Sequence, residues 1–134
     1  MRKLWTFHMG LIAAPEYIEK HGMPQSIEDL DNHKVLGFYY DRLGGAGNID
    51  AHLSIEGHKI APHITINNGP ALMEAARLGY GIWYAILEYP FLKGLPFVSI
   101  LEEATTTKID YYFITQADIL ENRTLTDLFD CLCR

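Results

Sequence analysis

The sequence has few of the features that mark disulfide-stabilised or zinc-binding proteins. Only two of its 134 residues are cysteines, Cys131 and Cys133. A disulfide across one intervening residue is strained, and two thiols without further ligands do not form a zinc site. We therefore expect reduced cysteines in a cytoplasmic protein.

Long apolar runs and basic clusters are also missing. No stretch approaches the roughly 20 apolar residues of a membrane-spanning helix. Two basic residues and then apolar ones open the chain, as in a signal peptide, but Thr6, His8 and Gly10 interrupt the apolar part. The formal net charge is −6 and no basic run is present, so the chain by itself is a poor nucleic-acid binder. We expect no membrane partner.

The sequence shows no arrangement typical of catalysis or metal binding. None of the serines lies in the strand–turn–helix motif of a hydrolase nucleophile. The histidines are spread over separate segments, and no two of them are expected to face each other. We therefore expect no enzyme, no metal and no cofactor.

The stretch from Ile64 to Gly81 is the most informative part of the chain. Ile64 and Ile66 alternate with polar residues, which predicts a half-buried strand. Pro70 suits the first turn of a helix, and Gly79 suits its left-handed end. A second strand is predicted from Gly81 to Ile86, so the stretch is a β-α-β unit of the α/β class.

Short elements are predicted along the rest of the chain, and 134 residues suit one domain. The predicted strands are Leu11–Ala14, Val35–Tyr40, a hairpin within His52–Ile60, Phe97–Leu101 and Ile109–Thr115. The predicted helices are Glu16–Lys20 after Pro15, a short one capped by Ser26 and Asp29, a turn at Tyr89–Leu92, and Thr124–Cys133. A glycine-rich mobile loop at Asp41–Asn48 and a polar break at Thr105–Lys108 separate them.

The order of these motifs resembles the effector-binding domain of LysR-type transcriptional regulators. AAPEYIEKHGMPQSIEDLDNHKVLGF carries a Pro-x-Tyr helix, a His-Gly-x-Pro turn and an Asp-Leu helix followed by His33. INNGPALMEAARLGYGI has the family's Asn-rich turn, small-residue helix and Gly-x-Gly-Ile. LKGLPFVSILEE and IDYYFITQ are similar to its last two strands. The resemblance extends from about Leu11 to Leu132.

The resemblance implies a periplasmic-binding-protein-like fold of type 2. Residues 11–104 would form the second subdomain, with a mixed, mainly parallel sheet flanked by helices. Residues 105–134 would be the strand and helix that return to a first subdomain. The family's helix-turn-helix and most of that first subdomain have no counterpart in these residues. We therefore expect a truncated sensor that contacts DNA only through a helix-turn-helix absent from this chain.

The resemblance also implies a small-molecule effector, a small organic anion or an aromatic compound, in a cleft between subdomains. Ligands of open α/β sheets lie at the carboxyl ends of strands. One such end precedes a helix N-terminus, whose positive dipole end suits a carboxylate. The expected cleft residues are Ala14, Pro15, Glu16, Tyr40, Asp41, Arg42, Asn67, Asn68 and Gly69. The alternative is that they are structural, with Asn68 only capping its helix.

The closing helix has an apolar stripe that the family packs on the first subdomain. Without that subdomain we expect a homo-oligomer, formed either by a symmetric contact or by an exchange of the last strand and helix between two chains, with Thr105–Lys108 as the hinge in the second case. The expected contact residues are Leu125, Leu128, Phe129 and Leu132. Two other functions stay open: a solute-binding protein of the periplasmic type, and a dimerisation module without a ligand.

Overall fold

One mixed sheet with helices on both faces makes up the structure. The computed structural model describes residues 2–38, 53–114 and 123–132. The sheet strands are β1 (Arg2–Ala13), β2 (Val35–Phe38), β5 (Ile64–Ile66), β6 (Ile82–Ile86), β7 (Val98–Ile100) and β8 (Thr107–Phe113), and β3 (Leu53–Ile55) and β4 (His58–Ile60) form a hairpin. The α-helices are α1 (Pro15–His21), α2 (Gly69–Arg77), α3 (Glu102–Thr105) and α4 (Arg123–Leu132), and short 3-10 helices span Glu28–Asn32 and Pro90–Leu92.

The strand directions confirm the predicted sheet. The strand order is β5-β2-β6-β1-β7, and β8 also pairs with β1. β2 is parallel to β5 and β6, whereas β1 is antiparallel to β6, β7 and β8. Five of the six strands therefore point one way, and β1 points the other way. The predicted β-α-β unit is β5-α2-β6, with β2 between its two strands.

The first strand is much longer than the predicted Leu11–Ala14. Its buried end pairs with β6 and β7, and residues 2–9 pair with β8. We call residues 2–9 and 107–113 the ribbon, and the rest of the sheet with its helices the body. Trp5 and Tyr111 in the ribbon are 45% and 47% exposed, whereas Leu11 is 2% exposed. The prediction followed the apolar run and so missed the part that is held by a strand about a hundred residues later.

The core has two parts, one on each face of the sheet. Successive side chains of a strand point to opposite faces, so Leu11 belongs to one cluster and Ile12 to the other. Tyr17 of α1 and Ile60 of β4 lie in the first cluster, and Leu72 of α2 lies in the second. Burying one such aliphatic side chain is worth about 1.5–3 kcal/mol, so both layers are needed to stabilise the sheet.

Several local predictions can be compared with the structure. The capping pair is confirmed, since Ser26 Oγ accepts from Asp29 N–H at 3.3 Å and Asp29 Oδ2 accepts from Ser26 N–H at 3.2 Å. The hairpin is confirmed, with Ile55 opposite His58. The predicted mobile loop at Asp41–Asn48 lies outside the described residues.

The predicted polar break at Thr105–Lys108 is wrong. Thr105 ends α3 and is 1% exposed, and its hydroxyl lies 3.1 Å from the carbonyl oxygen of Ile100 and 3.0 Å from that of Leu101. Thr107 and Lys108 already belong to β8, where they pair with β1. Threonine suits a strand as well as a loop, so polarity alone misled the prediction. The break between α3 and β8 is therefore the single residue Thr106, and the hinge of an exchange between two chains stays a prediction.

The Gly79-x-Gly81 motif after α2 meets two separate requirements. Gly79 has φ +82°, the left-handed conformation that ends a helix. At Gly81 the amide of the next residue, Ile82, donates to the carbonyl oxygen of Lys34 at 2.8 Å. A Cβ on Gly81 would lie 2.6 Å from that same oxygen, closer than packing allows. The motif thus ends one helix and lets β6 approach β2.

We expect Gly81→Ala to lower the free energy of unfolding by about 1–3 kcal/mol, the usual cost of overpacking. The control is Gly69→Ala, because a Cβ on Gly69 would contact nothing within 4 Å. Alanine suits a helix, so the control should be neutral or stabilising by up to about 1 kcal/mol. Urea denaturation of both variants measures the difference. Equal effects would contradict the close approach of β6 to Lys34.

Candidate functional site

The carboxyl ends of three parallel strands meet at one edge of the sheet. β2 ends at Phe38, which pairs with Ile66 at the end of β5. β6 runs in the same direction on the other side of β2 and ends at Ile86, which pairs with Met9 of β1. We call this the C-terminal edge. The turn Asn67–Gly69, which follows β5, therefore lies there.

Asn68 caps α2 at this edge, as predicted. Its side-chain Oδ1 accepts from Ala71 N–H at 2.9 Å, and its carbonyl oxygen accepts from Leu72 N–H at 3.0 Å. Pro70 has no N–H, and the N–H groups of Ala71 and Leu72 both bond to Asn68. Gly69 N–H is therefore the donor of the first turn that Asn68 does not bond. The positive end of the helix dipole adds to this donor. The turn can offer a carboxylate one backbone hydrogen bond and a favourable field.

Three of the predicted cleft residues lie at the opposite edge. β1 runs against β2, β5 and β6, so its end lies beside the start of β6, with Ile12 opposite Trp83. Glu16 lies there too, because a Cβ on Gly79 at the end of α2 would be 3.7 Å from Glu16 Cβ. The expectation that Ala14, Pro15 and Glu16 share an edge with Asn68 is therefore wrong.

The second predicted group of cleft residues cannot be placed. Tyr40, Asp41 and Arg42 lie outside the described residues. β2 leads to the C-terminal edge and is described up to Phe38. Their part in the cleft stays a prediction.

Sequence reasoning missed a pair at the C-terminal edge, His8 and Glu88. The amide of His8 donates to Glu88 Oε2 at 2.9 Å, and its ring Nδ1 bonds to the other carboxylate oxygen. The His8 amide, and after it the ring, lowers the pKa of the Glu88 carboxyl below its usual value. Eighty residues separate the two. The only sequence signal is a histidine that interrupts an apolar strand.

The family's tyrosine and histidine signature forms a structural cluster near the opposite edge. Tyr17 is fully buried, and its hydroxyl accepts from Lys34 N–H at 3.0 Å. The same hydroxyl also forms a hydrogen bond with Nδ1 of His33 at 2.8 Å. The His21 ring stacks on Tyr17 with 4.6 Å between centroids. These contacts fix α1 to the start of β2.

Three further findings apply to residues 2–38, 53–114 and 123–132 alone. No group of three or more histidine, cysteine, aspartate or glutamate side chains is placed to hold a metal ion. No helix there is both long and apolar enough for a membrane span. Cys131 is an exposed free thiol.

Comparisons with known proteins identify the family. The sequence profile of the LysR substrate binding domain matches residues 1–134. The chain is 41% identical over 83 residues to the HTH-type transcriptional regulator CrgA of Neisseria meningitidis serogroup B. The aligned stretch covers 60% of this chain and 27% of the relative. The chain is 30% identical over 99 residues to the HTH-type transcriptional activator TtdR of Escherichia coli K12. That aligned stretch covers 69% of this chain and 31% of the relative.

The chain therefore belongs to the LysR substrate-binding domain family, whose curated relatives here are named as transcriptional regulators. It spans roughly a third or less of the length of these two relatives. The regulatory domain of CrgA superposes with a TM-score of 0.66 at 32% identity, covering 98% of this chain and 66% of the other. Full-length AphB of Vibrio cholerae has a TM-score of 0.71 at 19% identity, covering 98% and 46%. Both confirm the periplasmic-binding-protein-like fold.

The burial of His33 makes stability depend on pH. Burial is the main cause that lowers the pKa of His33 below its usual 6.5, the charge of His21 adds to it, and Asp29 opposes it. The folded state then binds fewer protons than the unfolded state, so stability is complete above about pH 6.5 and falls as the pH drops below it.

We expect His33→Gln to reduce the slope of unfolding free energy against pH between pH 6.5 and 5. His63→Gln is the control, since it also removes one imidazole ring, from an exposed position outside the cluster. Urea denaturation at four pH values measures the slope. The same slope in the parent and in His33→Gln would contradict the assignment.

Proposed function

We propose that the chain is the ligand-sensing part of a cytoplasmic LysR-type regulator. A small-molecule co-inducer binds at the C-terminal edge, in a cleft between this body and a further subdomain. Its binding changes the activity of a helix-turn-helix domain on DNA, and no catalysis takes place. The observation that carries the proposal is the meeting of three parallel strand ends with the N-terminus of α2 at this one edge.

The ribbon supports the position of the cleft. Met9 pairs with Ile86 at the end of β6, so residues 2–8 extend past the C-terminal edge. Trp5 and Tyr111 form a cross-strand pair there and are nearly half exposed. This chain aligns with 66% of the CrgA regulatory domain. The ribbon is thus a suitable connection to the remaining third of such a domain, across the proposed cleft.

The chemistry of the edge favours a ligand with a carboxylate and an apolar part. Gly69 N–H and the dipole of α2 attract an anion. Phe38 and Ile66 pair at the same edge and are half-buried, so they can contact an apolar or aromatic group. A small organic anion or an aromatic acid satisfies both. The names of the curated relatives describe regulators, which supports a role without catalysis.

The function is tested by binding, with two substitutions of the cap. In the full-length parent protein, a panel of small carboxylates and aromatic acids is screened by thermal shift. Asn68→Ala should cost about 1 kcal/mol of stability, the usual loss of an N-cap, and weaken the binding of any hit. Asn68→Asp should keep the cap but repel a carboxylate, so it should lose binding at nearly unchanged stability.

Glu16→Gln, at the opposite edge, is the matched control and should bind the hit as the parent does. Isothermal titration calorimetry gives the affinities. No hit in the panel, or a hit that Asn68→Asp binds as tightly as the parent does, would contradict the proposed site.

We also propose that the closing helix is a contact of a homo-oligomer. Leu128 is 46% exposed on α4, and Leu132 on the same helix is half-buried. Leu125 and Phe129 complete the predicted stripe, and the structure does not describe their side chains. An exposed apolar stripe on a helix usually marks an interface.

We expect Leu128→Asp to weaken self-association at least tenfold, because burying one leucine is worth about 1.5–3 kcal/mol. Asp127→Asn, an exposed polar neighbour, should leave association unchanged. Sedimentation velocity at micromolar concentrations measures both. A parent protein that is monomeric under these conditions would rule out the contact.

A further inference from the structure

The ribbon and the body meet at Met9. This residue pairs with Ile86 of β6 on one side and with Thr107 of β8 on the other. It is the first residue of β1 in the β6 ladder and the last in the β8 ladder. Any movement of the ribbon against the body must therefore bend β1 near Met9.

The preceding residue of the ribbon, His8, is also bonded to the chain that follows β6. Its carbonyl oxygen accepts from Leu87 N–H at 2.8 Å. Its N–H donates to Glu88 Oε2 at 2.9 Å. A regular antiparallel ladder would satisfy that N–H with a backbone carbonyl oxygen. The Glu88 carboxylate takes the place of that oxygen where the ladder ends.

Two further contacts hold the Glu88 segment in position. The ring Nδ1 of His8 bonds to the second carboxylate oxygen of Glu88. Leu87 lies against the backbone of β1, because a Cβ on Gly10 would be 3.1 Å from Leu87 Cδ1. The Glu88 side chain thus bonds to both the backbone amide and the ring of His8, and the neighbouring Leu87 side chain packs against β1 beside them.

The charged groups around His8 come from two strands and the segment after β6. Glu88 bonds to it, and Lys108 lies opposite it on β8. Asp110 is the diagonal neighbour on the same face, where it accepts from Thr6 Oγ1 at 2.6 Å and pairs with Lys3 at 2.9 Å. The His8 and Glu88 side chains are 46% and 42% exposed, so solvent protons reach both. Among these charged groups, the Glu88 carboxylate is the one that accepts a hydrogen bond from the β1 backbone at the junction.

We propose that Glu88 is a latch: its charged carboxylate holds the ribbon to the body at His8, and this hold weakens when that charge is removed. The regulatory meaning of the latch rests on the proposed function, in which the ribbon connects the two sides of the ligand cleft. Hydrogen bonds to a charged acceptor are roughly twice as strong as neutral ones. Loss of the charge therefore weakens the bonds to the amide and ring of His8, although the backbone bond to Leu87 remains.

The test is native-state amide hydrogen exchange of the 134-residue chain, followed by NMR at constant pH. Glu88→Ala removes the acceptor, so the exchange rate of His8 N–H should rise at least tenfold. Glu88→Gln keeps a neutral oxygen, so the rise should be smaller but measurable. The amides of α2, which lie away from the junction, should exchange as in the parent protein. Glu103→Gln removes an exposed charge on α3 and should leave His8 unchanged.

Two results would overturn the latch. One is an unchanged His8 exchange rate in Glu88→Ala. The other is an equal acceleration at His8 and in α2, which would mean that the variant destabilises the whole fold rather than the junction. The measurement needs no effector, so it decides the latch separately from the ligand-sensing function.

Discussion

The direction of β1 is the constraint on which the rest of the structure depends. It is the strand that runs against the other five, and it pairs with three of them. Its buried end joins β6 to β7, and its other end joins β8 in the ribbon. Removing β1 would leave β7 and β8 without the ladders that connect them to the sheet. β1 therefore connects the two halves of the chain, and its direction determines which strand ends lie at each edge of the sheet.

The two edges differ in chemistry because of this direction. The C-terminal edge receives the ends of β2, β5 and β6, the capped start of α2, and the junction with the ribbon. The opposite edge receives the end of β1, where Tyr17 and His33 form a bonded cluster. Polar side chains are bonded to each other at the opposite edge, whereas the proposed ligand position is at the C-terminal edge. Tyr17, His21 and His33, which carry part of the resemblance to the family, lie at the opposite edge, where they serve packing.

Much of the fold could be predicted because its signals are local. The alternation at Ile64 and Ile66, the proline in the first turn of α2 and the glycine after it determine the β-α-β unit within about twenty residues. The reciprocal bonds of Ser26 and Asp29 are of the same kind. These elements depend on residues close in sequence, so the local residue pattern is sufficient to predict them.

The remaining errors concern pairing over long distances. The ribbon is held by residues about a hundred positions apart, and its strands are not apolar runs, so the pattern showed only the buried end of β1. The direction of β1 cannot be derived from its composition, and this led Ala14–Glu16 to be placed at the wrong edge. The contact of His8 with Glu88 was missed for the same reason. Thr105–Lys108 was taken as a break because polarity does not distinguish a loop from a strand.

The position of the ligand edge is the central claim, and chemical-shift mapping tests it most directly. The isotope-labelled protein is titrated with a small aromatic carboxylate such as benzoate, and the amide shifts are followed by NMR. If the ligand lies at the C-terminal edge, the largest changes are expected at Gly69, with smaller ones at Phe38 and Leu87 on the same edge. Largest changes at the amides of Ala14 and Glu16, on the opposite edge, would contradict it.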